Sequence, residues 1–194
     1  WSSDFYKKTE KNRKKYMWKN KAMDILNLIK KNKKFKYDLV DIGGGYGLFV
    51  DEFTNISKRT NITIIEPSIY LAQILKEKGY NVINKFLEEI KITELPKNNK
   101  LFRCFELFEH VLNPNLFIKK IYKLMKKNDL LILTTLSGSG LDILTLGKKS
   151  NSISPPQHLN FFNPFSIKLL LEKNHFKKIT ITTPGKLDVS ILEN

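Results

Sequence analysis

One cysteine, three histidines and three arginines are all that this chain has of those residues, and each shortage excludes something. With Cys104 alone, neither an intrachain disulfide nor a cluster of thiolate metal ligands can form. Set in the apolar stretch Leu101 to Phe108, Cys104 reads as a buried core residue rather than a reactive thiol. His110, His158 and His175 are scattered along the chain, so no metal site is expected. No apolar run reaches the roughly eighteen residues of a membrane-spanning helix, and no signal-peptide pattern opens the chain. A cytoplasmic protein is expected. The chain opens at Trp1 rather than methionine, so further residues upstream are expected as well.

The formal charge is +15, carried unevenly. Residues 1–36 hold 13 Lys or Arg against 3 acids, a balance of +10, and residues 37–194 hold 21 against 16, only +5. Almost all the basic residues are lysine, with only Arg13, Arg59 and Arg103 otherwise, whereas planar phosphate or base recognition favours arginine. A solvated lysine surface therefore accounts for the charge, and nucleic-acid binding is the second reading. At 194 residues with 41% hydrophobic content the chain should fold around a proper core.

The stretch that organises the rest is KYDLVDIGGGYG, Lys36 to Gly47, echoed by NITIIEP, Asn61 to Pro67. A short apolar run ending in a burst of glycines reads as a buried parallel strand feeding a tight turn, and a helix-like segment, Leu48 to Ile56, follows. Strand, glycine turn and helix make a backbone that a ligand can approach closely, with the free N–H groups of the helix start aimed at it. A dinucleotide fingerprint laid on Gly43 and Gly45 would need a small residue at position 48, where Leu48 stands. The pattern D-x-G-x-G-x-G fits instead, on Asp41, Gly43, Gly45 and Gly47.

In this motif the chain resembles the class I S-adenosylmethionine-dependent methyltransferases. FELFEHVLNPNLFIKKIYKLMKKNDLLILTT, Phe105 to Thr135, and PPQHLNFFNPFSIKLLLEKNHF, Pro155 to Phe176, are similar to later segments of the small-molecule branch that includes the ubiquinone-biosynthesis methyltransferases. The resemblance covers roughly residues 37–183. It implies a Rossmann-like α/β fold, with a mostly parallel sheet of six or seven strands and helices on both faces. It also implies S-adenosylmethionine as cofactor, with Asp41 and the glycines Gly43, Gly44, Gly45 and Gly47 under its methionine half. Glu66 would grip both ribose hydroxyls, Pro67 turn the chain out of the strand, Phe86 and Leu87 flank the adenine, and Glu106 meet the amino end.

The elements expected around these residues alternate. A basic segment and amphipathic helix occupy residues 1–35, where Tyr16 or Trp18 either closes the cleft or anchors the helix, and the methyltransferase domain spans 36–194. Strands are expected over Asn61–Glu66, Tyr80–Asn84, Leu101–Glu106, Leu130–Thr135 and Lys177–Thr183. Helices are expected over Ser68–Lys78, from Asn113-Pro114 to about Lys127, and over Phe165–Asn174. Ile118, Ile121, Tyr122 and Leu124 or Met125 should form the buried stripe of the second of these. Ser137 to Pro156 should be a loop or lid containing a short helix at Leu141 to Leu146. Leu187 to Leu192 reads as a seventh strand or as the start of a helix of a longer protein.

Methyl transfer from a sulfonium needs an acceptor held in line and water excluded, and a base only where the acceptor must lose a proton. His158, after the Ser/Pro-rich loop, is the first candidate base, and His110 beside Glu109 is the second. Each has an equally good structural reading as a hydrogen-bonding anchor of its loop. Enzymes that methylate nucleobase amino groups carry an Asn/Asp-Pro-Pro-aromatic motif after the fourth strand, where this chain has Glu106-Leu107-Phe108-Glu109. The expected acceptor is therefore a small metabolite, of quinone-precursor or sugar type. An RNA methyltransferase using the lysine-rich amino end and a non-catalytic cofactor-binding module are the alternatives.

Overall fold

The apolar hexapeptide ahead of the glycines forms strand β1, Tyr37–Ile42, and it is buried at every position. In the computed structural model, which describes residues 18–31, 36–57 and 61–183, four further strands join it. They are β2 (Ile62–Ile65), β3 (Asn81–Ile83), β4 (Asn99–Cys104) and β5 (Leu130–Leu133). The sheet order is β3-β2-β1-β4-β5, and β1 and β3 both pair with β2 in parallel. The order reverses between β1 and β4, and the crevice beyond the carboxyl ends of strands at such a reversal is where open α/β sheets take their ligands.

Helices α1 (Lys19–Lys31), α2 (Leu48–Ile56), α3 (Ile69–Glu77), α4 (Pro114–Leu124), α5 (Leu141–Leu146) and α6 (Pro164–Lys173) complete the main elements. Their limits follow local chemistry. Ser68 caps α3 by accepting from the Leu71 N–H at 3.4 Å, and Gly79 ends it at φ 84°. Replacing Ser68 with alanine is expected to cost about 0.5–1 kcal/mol, read by thermal or urea unfolding, because an orphan N–H of the first turn loses its partner. Pro164 opens α6, and Asn163 caps it.

The chain divides into two compact units, which among the described residues are 18–103 with 125–132, and 104–124 with 133–183. The first holds the sheet apart from its terminal residues Cys104 and Leu133, and its core includes Leu39, Val40, Phe53, Ile64, Leu75 and Phe102. It also encloses an ion pair, Lys100 Nζ to Asp129 at 2.9 Å, with both side chains fully buried and Asp129 accepting from the Lys100 and Lys126 N–H groups. In the second unit Phe108 stacks on Phe162 at 5.1 Å and tilts against Phe117 at 5.9 Å.

Several expectations are corrected. The sheet has five strands among the described residues, not six or seven. Residues 177–183 alternate apolar and polar as a strand would, yet Lys178 sits at φ 57° and no ladder forms there. Alternation marks a chain that suits a sheet, but only a partner strand makes it one. β4 begins and ends two residues before the expected Leu101–Glu106, which leaves Glu106 beyond the strand at φ 52°. On α4 the buried residues are Phe117, Ile118, Ile121 and Leu124, whereas Tyr122 is exposed. Cys104 is buried, and the short helix at Leu141–Leu146 is present. Tyr16 and the Leu187 to Leu192 segment lie outside the described residues.

Candidate functional site

In the first unit β1 and β2 end side by side. Ile42 pairs with Ile65, and the Gly43 N–H extends the ladder to the Ile65 carbonyl at 2.9 Å. The turn then doubles back, the Gly47 N–H donating to the Gly44 carbonyl at 3.0 Å before α2 begins. Glu66, directly after β2, reaches across to it. One carboxylate oxygen accepts from the Gly45 N–H at 2.9 Å and the other from the Ser68 N–H at 2.9 Å. Glu66 is 5% exposed, and burial pushes its carboxyl above the usual range against the pull of those two N–H groups. An ionised carboxylate offers about four acceptor sites, so capacity for two hydroxyl donors remains.

The glycines do different work. Gly45 sits at φ 55°, and a β-carbon there would meet nothing within 4 Å, so its outer face is open. A β-carbon on Gly44 would lie 2.3 Å from the Ile64 methyl Cγ2, inside the core. Together they make a cradle with a tightly packed floor and an open top, which fits the approach of a cofactor's amino-acid portion.

The structure separates the remaining first-unit candidates. Asp41 is fully buried, and its carboxylate pairs with Arg103 on β4. Burial raises its pKa while the guanidinium lowers it, and its second oxygen has no hydrogen-bond partner among the described residues. Pro67 is half-buried and leads from β2 toward α3. Phe86 is 63% exposed, whereas Leu87 is buried. Trp18 anchors α1: it is buried and meets Phe49 edge-on at 6.3 Å.

Two further side-chain ties hold the surroundings of the turn. Lys78 Nζ donates to the Tyr46 carbonyl at 2.8 Å and to Asp51 at 2.9 Å, while the Tyr80 hydroxyl holds the other Asp51 oxygen at 2.9 Å. The Asn84 amide donates to the Glu66 and Pro67 carbonyls at 2.8 and 3.0 Å, fixing the strand end. Neither tie has a sequence signature, because each joins residues more than a dozen positions apart through a side chain common on any surface.

The second unit holds a separate polar cluster. The Leu159 and Asn160 N–H groups donate to the Glu109 carbonyl at 2.8 and 3.1 Å, and the Asn160 amide donates to the Val111 carbonyl at 2.6 Å. His110 Nδ1 bonds the Gln157 carbonyl at 2.7 Å and His158 Nδ1 the Ser152 carbonyl at 2.7 Å. A carbonyl only accepts, so both Nδ1 atoms carry the proton and both Nε2 atoms are the basic nitrogens of the neutral rings. The ring centres stand 5.0 Å apart, so the fold brings together two histidines that are distant along the chain. His175 alone stays apart, exposed against Tyr122. Asp142 accepts from the Ser150 and Ser152 hydroxyls at 2.7 and 2.5 Å, which organises the loop that carries His158.

Glu109 is 2% exposed, and one of its carboxylate oxygens has no hydrogen-bond partner among the described residues. Burial pushes its carboxyl up, assisted by the charge of Glu106 and opposed by its own N–H, His110 and His158. Glu106 is exposed, and the Thr134 hydroxyl donates to its carboxylate at 3.1 Å while accepting from its N–H at 3.3 Å. Its positive φ is the kind of backbone outlier that collects at functional loops. Among the described residues no helix is long and apolar enough to cross a membrane.

The parallel sheet with its glycine turn and strand-terminal carboxylate defines a class, the Rossmann-like cofactor-binding α/β proteins. A methyltransferase-domain family profile matches residues 11–181, so the chain belongs to that family. No curated protein matches it by sequence. Solved structures of S-adenosylmethionine-dependent methyltransferases share its fold. A protein from Thermotoga maritima described as a possible histamine N-methyltransferase is 20% identical, with a TM-score of 0.54 over 73% of this chain and 64% of that one. The plantazolicin methyltransferase solved with a desmethylPZN analog and SAH is 16% identical, with a TM-score of 0.64 over 84% and 64%. Human N-acetylserotonin methyltransferase solved with SAM is 17% identical, with a TM-score of 0.58 over 77% and 44%. The chain spans less than two thirds of the length of each of these proteins.

Proposed function

We propose that the chain binds S-adenosylmethionine on the glycine turn and transfers its methyl group to a small metabolite of quinone-precursor or sugar type. The observation that carries this reading is the Glu66 carboxylate joined to the Gly45 N–H beside the open face of that glycine. Glu66 takes the two ribose hydroxyls, Gly43, Gly44, Gly45 and Gly47 cradle the methionine portion, and the exposed Phe86 serves the adenine, with Leu87, its side chain enclosed, offering only its backbone. Pro67 sets the course of the chain between Glu66 and α3, and Glu106 serves the amino end. Asp41, being enclosed, acts through Arg103 rather than by touching the cofactor.

The bound cofactor supplies an activated methyl on a sulfonium, so no covalent intermediate with the protein is needed. The acceptor's proton is assigned to His158 Nε2, with His110 as the second candidate base. Glu109, whose carboxyl burial pushes up and the two histidines draw down, sets the charge around the two imidazoles. The fold relatives include methyltransferases named for plantazolicin and for N-acetylserotonin, in keeping with an acceptor other than nucleic acid but with neither a quinone precursor nor a sugar in particular.

Calorimetric titration with S-adenosylhomocysteine tests the cofactor assignment. Saturable binding in roughly the micromolar to sub-millimolar range is expected, and no binding would overturn the reading. For the base, His158→Ala should lower turnover about 100-fold while leaving S-adenosylhomocysteine affinity unchanged. Unchanged turnover, measured with a panel of phenolic, sugar and amine acceptors, would remove His158 from the role.

A further inference from the structure

Two basic side chains of β4 are buried, Lys100 and Arg103. Lys100 is accounted for by Asp129. Arg103, 2% exposed, meets both ends of the glycine turn at once. Asp41, two residues before Gly43, takes its ion pair. The guanidinium carbon stands over the ring of Phe49, two residues after Gly47, 3.9 Å from its centre. Trp18 adds a second aromatic face at 5.2 Å.

A turn with three glycines at positive φ has much backbone freedom to lose, so a fixed shape must be imposed by its surroundings. Glu66 and Lys78 hold the tip of the turn. The two stems are held by Arg103. A buried ion pair is weak evidence for stability as such, since hydrophobic replacements often do as well, and its better-attested use is to specify geometry. Guanidinium suits the task because it pairs a carboxylate in its plane while stacking an aromatic ring on its face, which a compact ammonium cannot do together.

We propose that Arg103 is the positioning residue of the glycine turn, pairing with Asp41 and seating its cation over the Phe49 ring so that the two stems are fixed and the cradle is shaped before any ligand arrives. The proposal rests on the cofactor reading above for its consequence, and on the turn itself for its test.

Amide hydrogen exchange of residues 43–47 in the unliganded protein reads the brace directly. Arg103→Lys keeps a positive charge for Asp41 but loses the planar guanidinium. It should speed exchange in that segment by about tenfold and weaken S-adenosylhomocysteine binding about 5- to 20-fold, with a melting temperature close to that of the original protein. Should that variant fail to fold, the double variant Asp41→Asn with Arg103→Met leaves no buried charge unpaired and carries the same readouts. Exchange and affinity both at original levels in the variant that folds would overturn the brace. If the unaltered protein binds no S-adenosylhomocysteine while exchange at 43–47 still accelerates in the variant, the cofactor reading falls and the brace stands.

Discussion

Glu66→Gln is expected to weaken S-adenosylhomocysteine binding by roughly a thousandfold. Two hydrogen bonds to a charged acceptor are each worth about 1.5–3 kcal/mol, and an amide has one oxygen where the carboxylate has two. That oxygen cannot hold the Gly45 N–H and Ser68 N–H and still serve two hydroxyls. Acid should mimic the substitution. Burial raises the Glu66 carboxyl above its ordinary value of 4.5, so as pH falls the group takes up its proton, and affinity declines, earlier than an unperturbed glutamate would dictate.

Folding stability should respond with the opposite sign. The folded state keeps this proton at pH values where the unfolded chain has lost it, so the contribution is full below the unfolded value and is lost as pH rises through the folded one. Glu66→Gln should flatten both trends. Calorimetric titrations and thermal melts over a pH series would measure them, and an unaltered pH profile of affinity in the variant would remove Glu66 from the ribose.

The second large effect is a contrast between adjacent glycines. Gly44→Val forces a β-carbon to 2.3 Å from a methyl of Ile64, a stiff β-branched side chain with no exposure in the central part of the sheet. Overpacking there should cost about 3–5 kcal/mol, lowering the melting temperature by about 10 °C or more. The β-carbon of Gly45→Val meets nothing within 4 Å among the described residues. Its cost is the left-handed backbone, about 1–3 kcal/mol, so the protein should fold and melt only a few degrees lower. Its valine, however, stands in the space assigned to the ligand, and S-adenosylhomocysteine binding should fall at least about 100-fold, a loss of roughly 2.7 kcal/mol. Circular dichroism melts and calorimetry on the two variants would separate packing from access. Equal binding losses with equal melting temperatures would contradict the division.

That contrast marks what spacing can convey. Gly43, Gly45 and Gly47 recur at every second position, and all three take positive φ, a requirement of each residue's own backbone. Gly44 falls at an open position of the pattern. Its need for a missing side chain comes from Ile64, twenty residues away, through the close approach of the turn to β2. Likewise the alternation in residues 177–183 describes a chain suited to a sheet, whereas sheet membership depends on a neighbour that those residues do not specify.

The sequence by itself determined the alternation of the first five strands with their helices, the glycine turn, the Ser68 cap and the carboxylate that closes β2, because each depends on local backbone preference and on apolar periodicity within a few residues. Tertiary structure alone decided that Asp41 is turned inward to Arg103, that Leu87 is core while Phe86 is exposed, and that His110 and His158 present their rings to each other. Those outcomes are contacts between distant segments. Side-chain burial and charge pairing are properties of the assembled neighbourhood, and no stretch of chain carries them before it folds.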